Sequence, residues 1–167
     1  MQRKGGGKTV KQETEIQHII DTYASTLFRT AFALLKNRDD AEDAVQETLL
    51  RYLRKAPEFA SPTHEKAWLL RVIINLCKNH LTSCWFRRRT DLSVEIPALE
   101  AEERLLLEAV LKLPQSYRSV IHLHYYEGYS VNEISQLLQC PVSTVTTRLS
   151  RARKRLALLL KGEDLLV

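Results

Sequence analysis

The sequence predicts an all-α protein: two small helical domains joined by a flexible linker, the second one a helix-turn-helix. Three observations predict it. First, no glycine occurs between Lys8 and Glu127, whereas sheets and hairpins need glycine-bearing turns. Second, apolar residues recur at helical spacing through most of the chain. Third, that periodicity lapses once, between about Trp85 and Leu99, where Arg87, Arg88, Arg89, Ser93 and Pro97 cluster. The 167 residues, 44% apolar and 27% charged, suit a folded chain. No run reaches the ~18 apolar residues of a membrane span, so no membrane insertion is expected. Three scattered cysteines fit a reducing cytoplasm better than a disulfide framework.

Each element has its own signature. Residues 1–11 are basic and glycine-rich and are expected to be a disordered tail. Ile16, Ile19, Ile20, Tyr23, Leu27, Ala31, Leu34 and Leu35 form the inward stripe of a first helix ending near Asn37. A second helix starts at Asp39 or Asp40 and runs to about Lys55. Its acids come first and its bases last, which complements the helix dipole. Its inward stripe is Ala41, Val45, Leu49, Tyr52 and Leu53. Ser61-Pro62 reads as the N-cap and first residue of a third helix, which runs to about Ser83. Trp68, Leu69, Val72, Ile73, Leu76, Cys77 and Leu81 face inward. Arg71, Asn75, Lys78, Asn79 and Thr82 form an outward stripe without an acid.

Helices resume at 101–112 and 115–126. Ser130-Val131-Asn132-Glu133 is a capping box opening a short helix to Leu138. After a tight turn, Ser143 is expected to cap a last helix to about Leu160. That helix turns Val145, Leu149, Ala152 and Leu156 inward and Thr144, Thr147, Arg148 and Arg151 outward. Short hydroxyls with arginines on an acid-free helix suit the major groove and its phosphates.

The net charge of +5 resolves into blocks: +4 over residues 1–11, −3 over 12–60, +5 over 61–90, −5 over 91–133 and +4 over 134–167. Two separated basic blocks suggest a polyanion held at two places.

Four stretches in register carry a family resemblance. They are Asp40–Thr48; Lys66–Asn75; Leu113-Pro114 through Arg118 to Gly128; and Glu133-Ile134 through Cys140-Pro141-Val142-Ser143 to Arg153. The chain resembles the extracytoplasmic-function (ECF) branch of the bacterial sigma-70 family over about residues 12 to 160. The resemblance implies a region 2 domain at 12–84, a linker at 85–100, a region 4 domain at 101–161 and a tail at 162–167. It implies that Asp40, Asp43, Gln46, Glu47, Leu50 and Arg54 dock on bacterial core RNA polymerase, at the clamp of its largest subunit, with a flap contact elsewhere. Phe59, Ser61, Lys66, Arg71, Asn75, Lys78 and Asn79 would capture the melted minus-ten strand, with Arg87, Arg88 and Arg89 on its backbone. Asn79 stands where the family often has Asp. Ser143, Thr144, Thr146, Thr147, Arg148, Ser150, Arg151 and Arg153 would engage the duplex minus-thirty-five element, with Thr146 in place of the usual Lys or Arg. Promoter DNA and an anti-sigma factor are the further implied partners.

Other readings are weaker. Gly5-Gly6-Gly7-Lys8-Thr9 lacks the leading glycine and the strand of a phosphate-binding loop. Cys77, His80, His122 and His124 lack the spacing of a four-ligand metal site, so neither metal nor cofactor is expected. No catalytic constellation stands out, which disfavours an enzyme. A DNA-binding regulator acting without polymerase remains the alternative.

Overall fold

The computed structural model describes residues 6–83 and 101–162. Helices α1 (Gly6–Leu35), α2 (Arg38–Lys55) and α3 (Pro62–Thr82) form the first unit. Helices α4 (Ala101–Lys112), α5 (Gln115–Ile121), α6 (Val131–Leu138) and α7 (Val142–Leu160) form the second. A π-helical stretch, His122–Tyr126, continues α5. No strand occurs among the described residues.

Local chemistry sets most boundaries. Asn37 accepts the Asp40 N–H and starts α2 one or two residues earlier than the acidic pattern suggests. Ser61 accepts the His64 N–H, with Pro62 in the first turn of α3, as expected. The Ser130–Glu133 capping box is present with both reciprocal bonds. Gln139 closes α6 in the left-handed conformation at φ 54.

Some expectations need correction. Helix α1 begins at Gly6, inside the stretch expected to be a disordered tail; once nucleated by its packed part, a helix extends N-terminally at little cost. Ser143 does not cap α7. Pro141 takes that position without a side-chain bond, because the turn enters the helix two residues sooner. Ile20 and Leu53 are exposed rather than inward, at 37% and 46%. Thr48 takes a buried place on α2 instead and satisfies its hydroxyl on the Ala44 carbonyl.

Residues 84–100, which include the linker expected at 85–100 with Arg87, Arg88 and Arg89, lie outside the described residues. The two helical units are packed together. Ile19, Leu27 and Leu34 of α1 meet Leu69, Leu70, Ile73, Ile74 and Cys77 of α3 in the first unit. Val120, Leu123, Ile134, Leu137, Val145 and Leu149 fill the second. These residues belong to one continuous buried cluster, because α1 packs on α5 and α3 packs on α6. Cys77 is fully buried in it, and burial pushes its thiol up to about 12.

Candidate nucleic-acid interface

Three surfaces were expected to carry function, on α2, on α3 with its preceding loop, and on α7.

On α2, Asp43, Gln46, Leu50 and Arg54 lie at helical spacing along one exposed face. Glu47 spends its carboxylate on Arg51 at 2.9 Å, an i, i+4 pair. Asp40 departs from that face. Its side chain is 13% exposed and lies 3.3 Å from His80 Nε2 of α3. It therefore joins α2 to α3 rather than facing outward. Exposed Leu50 and Leu53 give α2 an acidic surface with an apolar centre, and the inward reading of Leu53 missed it.

The loop before α3 is built on aromatic packing. Phe59 stacks on Tyr52 at 6.2 Å and 13°, and meets Trp68 edge-on at 5.8 Å. Trp68 is half-buried in this cluster, not deep in the core. The Tyr52 hydroxyl donates to Glu65 Oε1 at 2.8 Å, and Tyr23 donates to Oε2 at 3.1 Å. Burial and Glu65 raise both phenol pKa values above the ordinary range. An open cleft of about 740 Å³ lies against this cluster, lined by Glu15, Tyr52, Phe59, Ser61 and Glu65 among others. Ser61 lines it while serving as the α3 cap. Tyr52 and Glu65 were not anticipated here, since Tyr52 reads as core from its position on the α2 stripe.

Along α3 the five expected residues separate into two groups. Arg71 and Asn79 are exposed and Asn75 is half-buried. Lys66 and Lys78 instead meet the second unit. Lys66 Nζ lies 3.4 Å from Glu127 Oε2 and 5.6 Å from the centre of the Tyr129 ring. Lys78 Nζ donates to the Leu138 carbonyl at 2.6 Å. Burial lowers the Lys78 pKa, and the nearby Arg148 lowers it further while Cys140 opposes.

On α7 the helix-turn-helix presents Thr147, Arg151 and Arg153 to solvent, with Arg148 and Ser150 half-buried. Thr146 is exposed, but its hydroxyl returns to the Val142 carbonyl at 3.0 Å. Ser143 is exposed and Thr144 half-buried at the N-terminal end. Arg153 donates to the Tyr125 hydroxyl at 3.3 Å. No acid lies on this helix. The buried Val145, Leu149 and Ala152 hold its orientation against α5 and α6.

The junction holds residues that sequence reasoning did not assign. Arg118, 6% exposed, donates through Nε to Ala33 O at 2.7 Å and through Nη2 to Leu34 O at 2.9 Å. Its Nη1 reaches Leu113 O at 2.6 Å. The last turn of α1 has no basic residue of its own, and its orphan carbonyls draw this cation from α5. Burial pulls the Arg118 pKa down to about 10, which still leaves it charged at neutrality.

Also between the two units, Glu127 has a side chain 3% exposed, with Arg29 at 3.7 Å, Lys66 at 3.4 Å and His122 at 3.4 Å. Its Oε1 is buried without a hydrogen bond. Burial disfavours its charge, but His122, Lys66 and Arg29 outweigh that and hold its pKa below the ordinary range. The Thr30 hydroxyl donates to Thr26 O at 2.8 Å, so the 3.0 Å contact to His122 Nε2 needs the proton on that nitrogen. The π stretch makes this geometry. It closes through Glu127 N–H to His122 O, and Gly128 at φ 74 then turns the chain toward α6.

The comparisons with known proteins follow the same division of the chain. The Sigma-70 region 2 family matches residues 19–87, and the Sigma-70, region 4 family matches residues 103–156. The chain is 30% identical over 151 residues to the RNA polymerase sigma factor SigV of Bacillus subtilis (strain 168), covering 87% of this chain and 91% of that one. It is 28% identical over 162 residues to the ECF RNA polymerase sigma factor SigW of the same organism, covering 83% and 84%. It is 30% identical over 138 residues to the ECF RNA polymerase sigma-E factor of Escherichia coli (strain K12), covering 69% and 71%. Among solved structures, the fold is shared with the sigma factor RpoE of Bartonella quintana, crystallised with the anti-sigma factor NepR. The TM-score is 0.71 at 24% identity, covering 90% of this chain and 99% of that one. CnrH, in complex with the cytosolic domain of CnrY, gives a TM-score of 0.64 at 25% identity over 91% of each chain. With helical units in this order, a capped helix-turn-helix and relatives matched over 71–91% of their length, the chain belongs to the sigma-70 family as an ECF RNA polymerase sigma factor.

Proposed function

We propose a residue-level division of labour by which this sigma factor directs core RNA polymerase to its promoters and assists their melting. The exposed α2 face (Asp43, Gln46, Glu47, Leu50 and Arg54) docks on the clamp, with Asp40 setting the helix against α3. The α7 face (Thr147, Ser150 and Arg151, flanked by Ser143, Thr144, Thr146, Arg148 and Arg153) reads the duplex minus-thirty-five element. Arg71, Asn75 and Asn79, joined by Lys66 and Lys78, capture the melted minus-ten strand, and Phe59 and Ser61 frame the cleft that takes an unstacked base. The observation that carries this reading is the cleft walled by Tyr52 and Phe59 at the start of α3, lined also by Glu15, Glu58 and Glu65, on the helix whose outward Arg71, Asn75, Lys78 and Asn79 supply amides and cations. Unpaired bases bind by stacking and by amide and cationic contacts of that kind.

In this reading the subunit supplies position and strand capture, and the polymerase performs the chemistry in the cytoplasm, so the chain is not itself an enzyme. No helix among the described residues is long and apolar enough to cross a membrane. The complexes of RpoE with the anti-sigma factor NepR and of CnrH with the cytosolic domain of CnrY support an anti-sigma partner for this chain as well.

Run-off transcription with purified core polymerase over a promoter library tests the proposal. Specific starts that depend on both Arg151 and Asn75 are expected. Core binding with no promoter selection would overturn it. A regulator acting alone would instead bind duplex promoter DNA stably without core.

A further inference from the structure

Two tyrosines stand side by side in the π-helical stretch that continues α5, and both are 53% exposed. Their rings and hydroxyls are used differently. Tyr126 stacks on His122 at 5.8 Å and 17°, toward the junction of the units. Tyr125 turns to the helix-turn-helix, where its hydroxyl accepts a hydrogen bond from Arg153 Nη1 of α7 at 3.3 Å. His124 braces it. The His124 ring meets the Tyr125 ring edge-on at 4.9 Å and 83°, and His124 Nδ1 donates to the Tyr129 carbonyl at 2.8 Å.

We propose that Tyr125 and Arg153 form a clamp for one backbone phosphate of duplex DNA, at the edge of the α7 reading face. This rests on the reading of α7 as the face that meets the minus-thirty-five duplex; the pairing of the two side chains does not.

Arg153 follows Thr146 at i, i+7, so both lie along one side of α7. It is exposed on a helix without an acid, and its partner here is a neutral phenol. Its charge therefore stays available to an outside anion. Most guanidinium N–H donors remain after this one bond, and a phenol that accepts from Arg153 keeps its own proton to give. The pair thus offers a hydroxyl donor and charged N–H donors at one place, which suits a phosphodiester oxygen. The placement agrees. In helix-turn-helix docking the second helix enters the groove and the first crosses the backbone, and Tyr125 comes from the stretch that leads into α6, the first helix of the motif. Holding Arg153 against Tyr125 also removes side-chain freedom before DNA arrives, which lowers the cost of binding.

The test uses holoenzyme assembled from core polymerase and the full chain. The probe is duplex DNA with a minus-thirty-five element recovered from the promoter library, its phosphates replaced one at a time by neutral methylphosphonates. The variants are Tyr125→Phe, which keeps the ring and removes the hydroxyl, Arg153→Gln, and the two combined; Tyr126→Phe is the control. Circular dichroism confirms that each folds. Tyr125→Phe is expected to weaken binding to unmodified duplex about fivefold, the worth of one hydrogen bond. That loss should vanish at one particular methylphosphonate and in the Arg153→Gln background, and Tyr126→Phe should bind as the natural chain does. Unchanged affinity of Tyr125→Phe overturns the clamp. So does a loss that persists at every substituted phosphate or adds in full to that of Arg153→Gln, because the hydroxyl then acts elsewhere. If neither Arg153→Gln nor any methylphosphonate weakens duplex binding, the α7 reading itself fails and the clamp falls with it.

Discussion

The Nε of Arg118 donates a 2.7 Å hydrogen bond to the carbonyl oxygen of Ala33, 85 residues earlier in the chain. With Leu34 O and Leu113 O it completes a set of three main-chain acceptors for one buried guanidinium. Truncating it removes charged hydrogen bonds and leaves carbonyls buried and unpaired. Arg118→Ala is expected to cost about 2–4 kcal/mol of unfolding free energy. Urea denaturation followed by circular dichroism checks it; a loss under 1 kcal/mol would show that water replaces the guanidinium cheaply.

The acid end of the stability curve should report Glu127. Its folded pKa lies below its unfolded one despite burial, so its ionisation favours the folded state. That contribution is fully present above the unfolded value of about 4.3–4.5 and fades as pH falls through the lower folded value. Arg29, Lys66 and His122 are the charged or titratable partners facing it. Tyr129 also lies close, its phenol pushed up to about 12 by burial and then by Glu127 and Glu133. The stability difference between the natural chain and Glu127→Gln should therefore be largest near neutrality and shrink below pH 4.5. A difference constant from pH 7 to 3 would contradict the assignment.

Helix α6 depends on its cap. The Ser130 hydroxyl accepts the Glu133 N–H at 3.3 Å, and Glu133 Oε2 accepts the Ser130 N–H at 2.8 Å. Ser130→Ala should lower stability by about 1 kcal/mol. Duplex promoter affinity should fall with it, because α6 buttresses α7. Loss of affinity without loss of stability would point to a direct DNA contact for Ser130.

On α7, Arg151 and Arg153 should behave differently. Arg151→Ala is expected to relax preference at one minus-thirty-five position by about 1–3 kcal/mol. Arg153→Ala should weaken all promoters evenly and flatten the salt dependence by about one phosphate contact. Holoenzyme affinity for single-base promoter variants at two salt concentrations separates the two outcomes.

The aromatic cleft offers a third promoter readout. Phe59→Ala removes a ring stacked on Tyr52 and should reduce capture of the melted strand by about 1–3 kcal/mol while leaving duplex affinity unchanged. Equal loss on both forms would assign Phe59 a purely structural role.

Much of this protein was legible in the chain because the deciding interactions are local. The Ser130–Glu133 box spans three residues, Ser61-Pro62 opens α3, and the apolar stripes of α1, α3 and α7 follow from a period of 3.6. Backbone hydrogen bonding and burial of one helix face act within a few residues, so sequence spacing reports them. The family resemblance likewise rested on short runs, and it assigned the faces of α2, α3 and α7. The tertiary structure alone decided what those faces meet. Asp40 turns to His80, Leu53 is left exposed, and Lys66 and Lys78 are drawn to Glu127 and Leu138, 61 and 60 residues away. Nothing in the spacing of an acidic block from 91 to 133 marks Glu127 as the enclosed acid among the described residues of that block. Its environment comes from α1, α3 and a π turn converging on a single point. Long-range electrostatics depend on where helices cross, and crossing is set by the packing of whole helix faces rather than by any short run of residues.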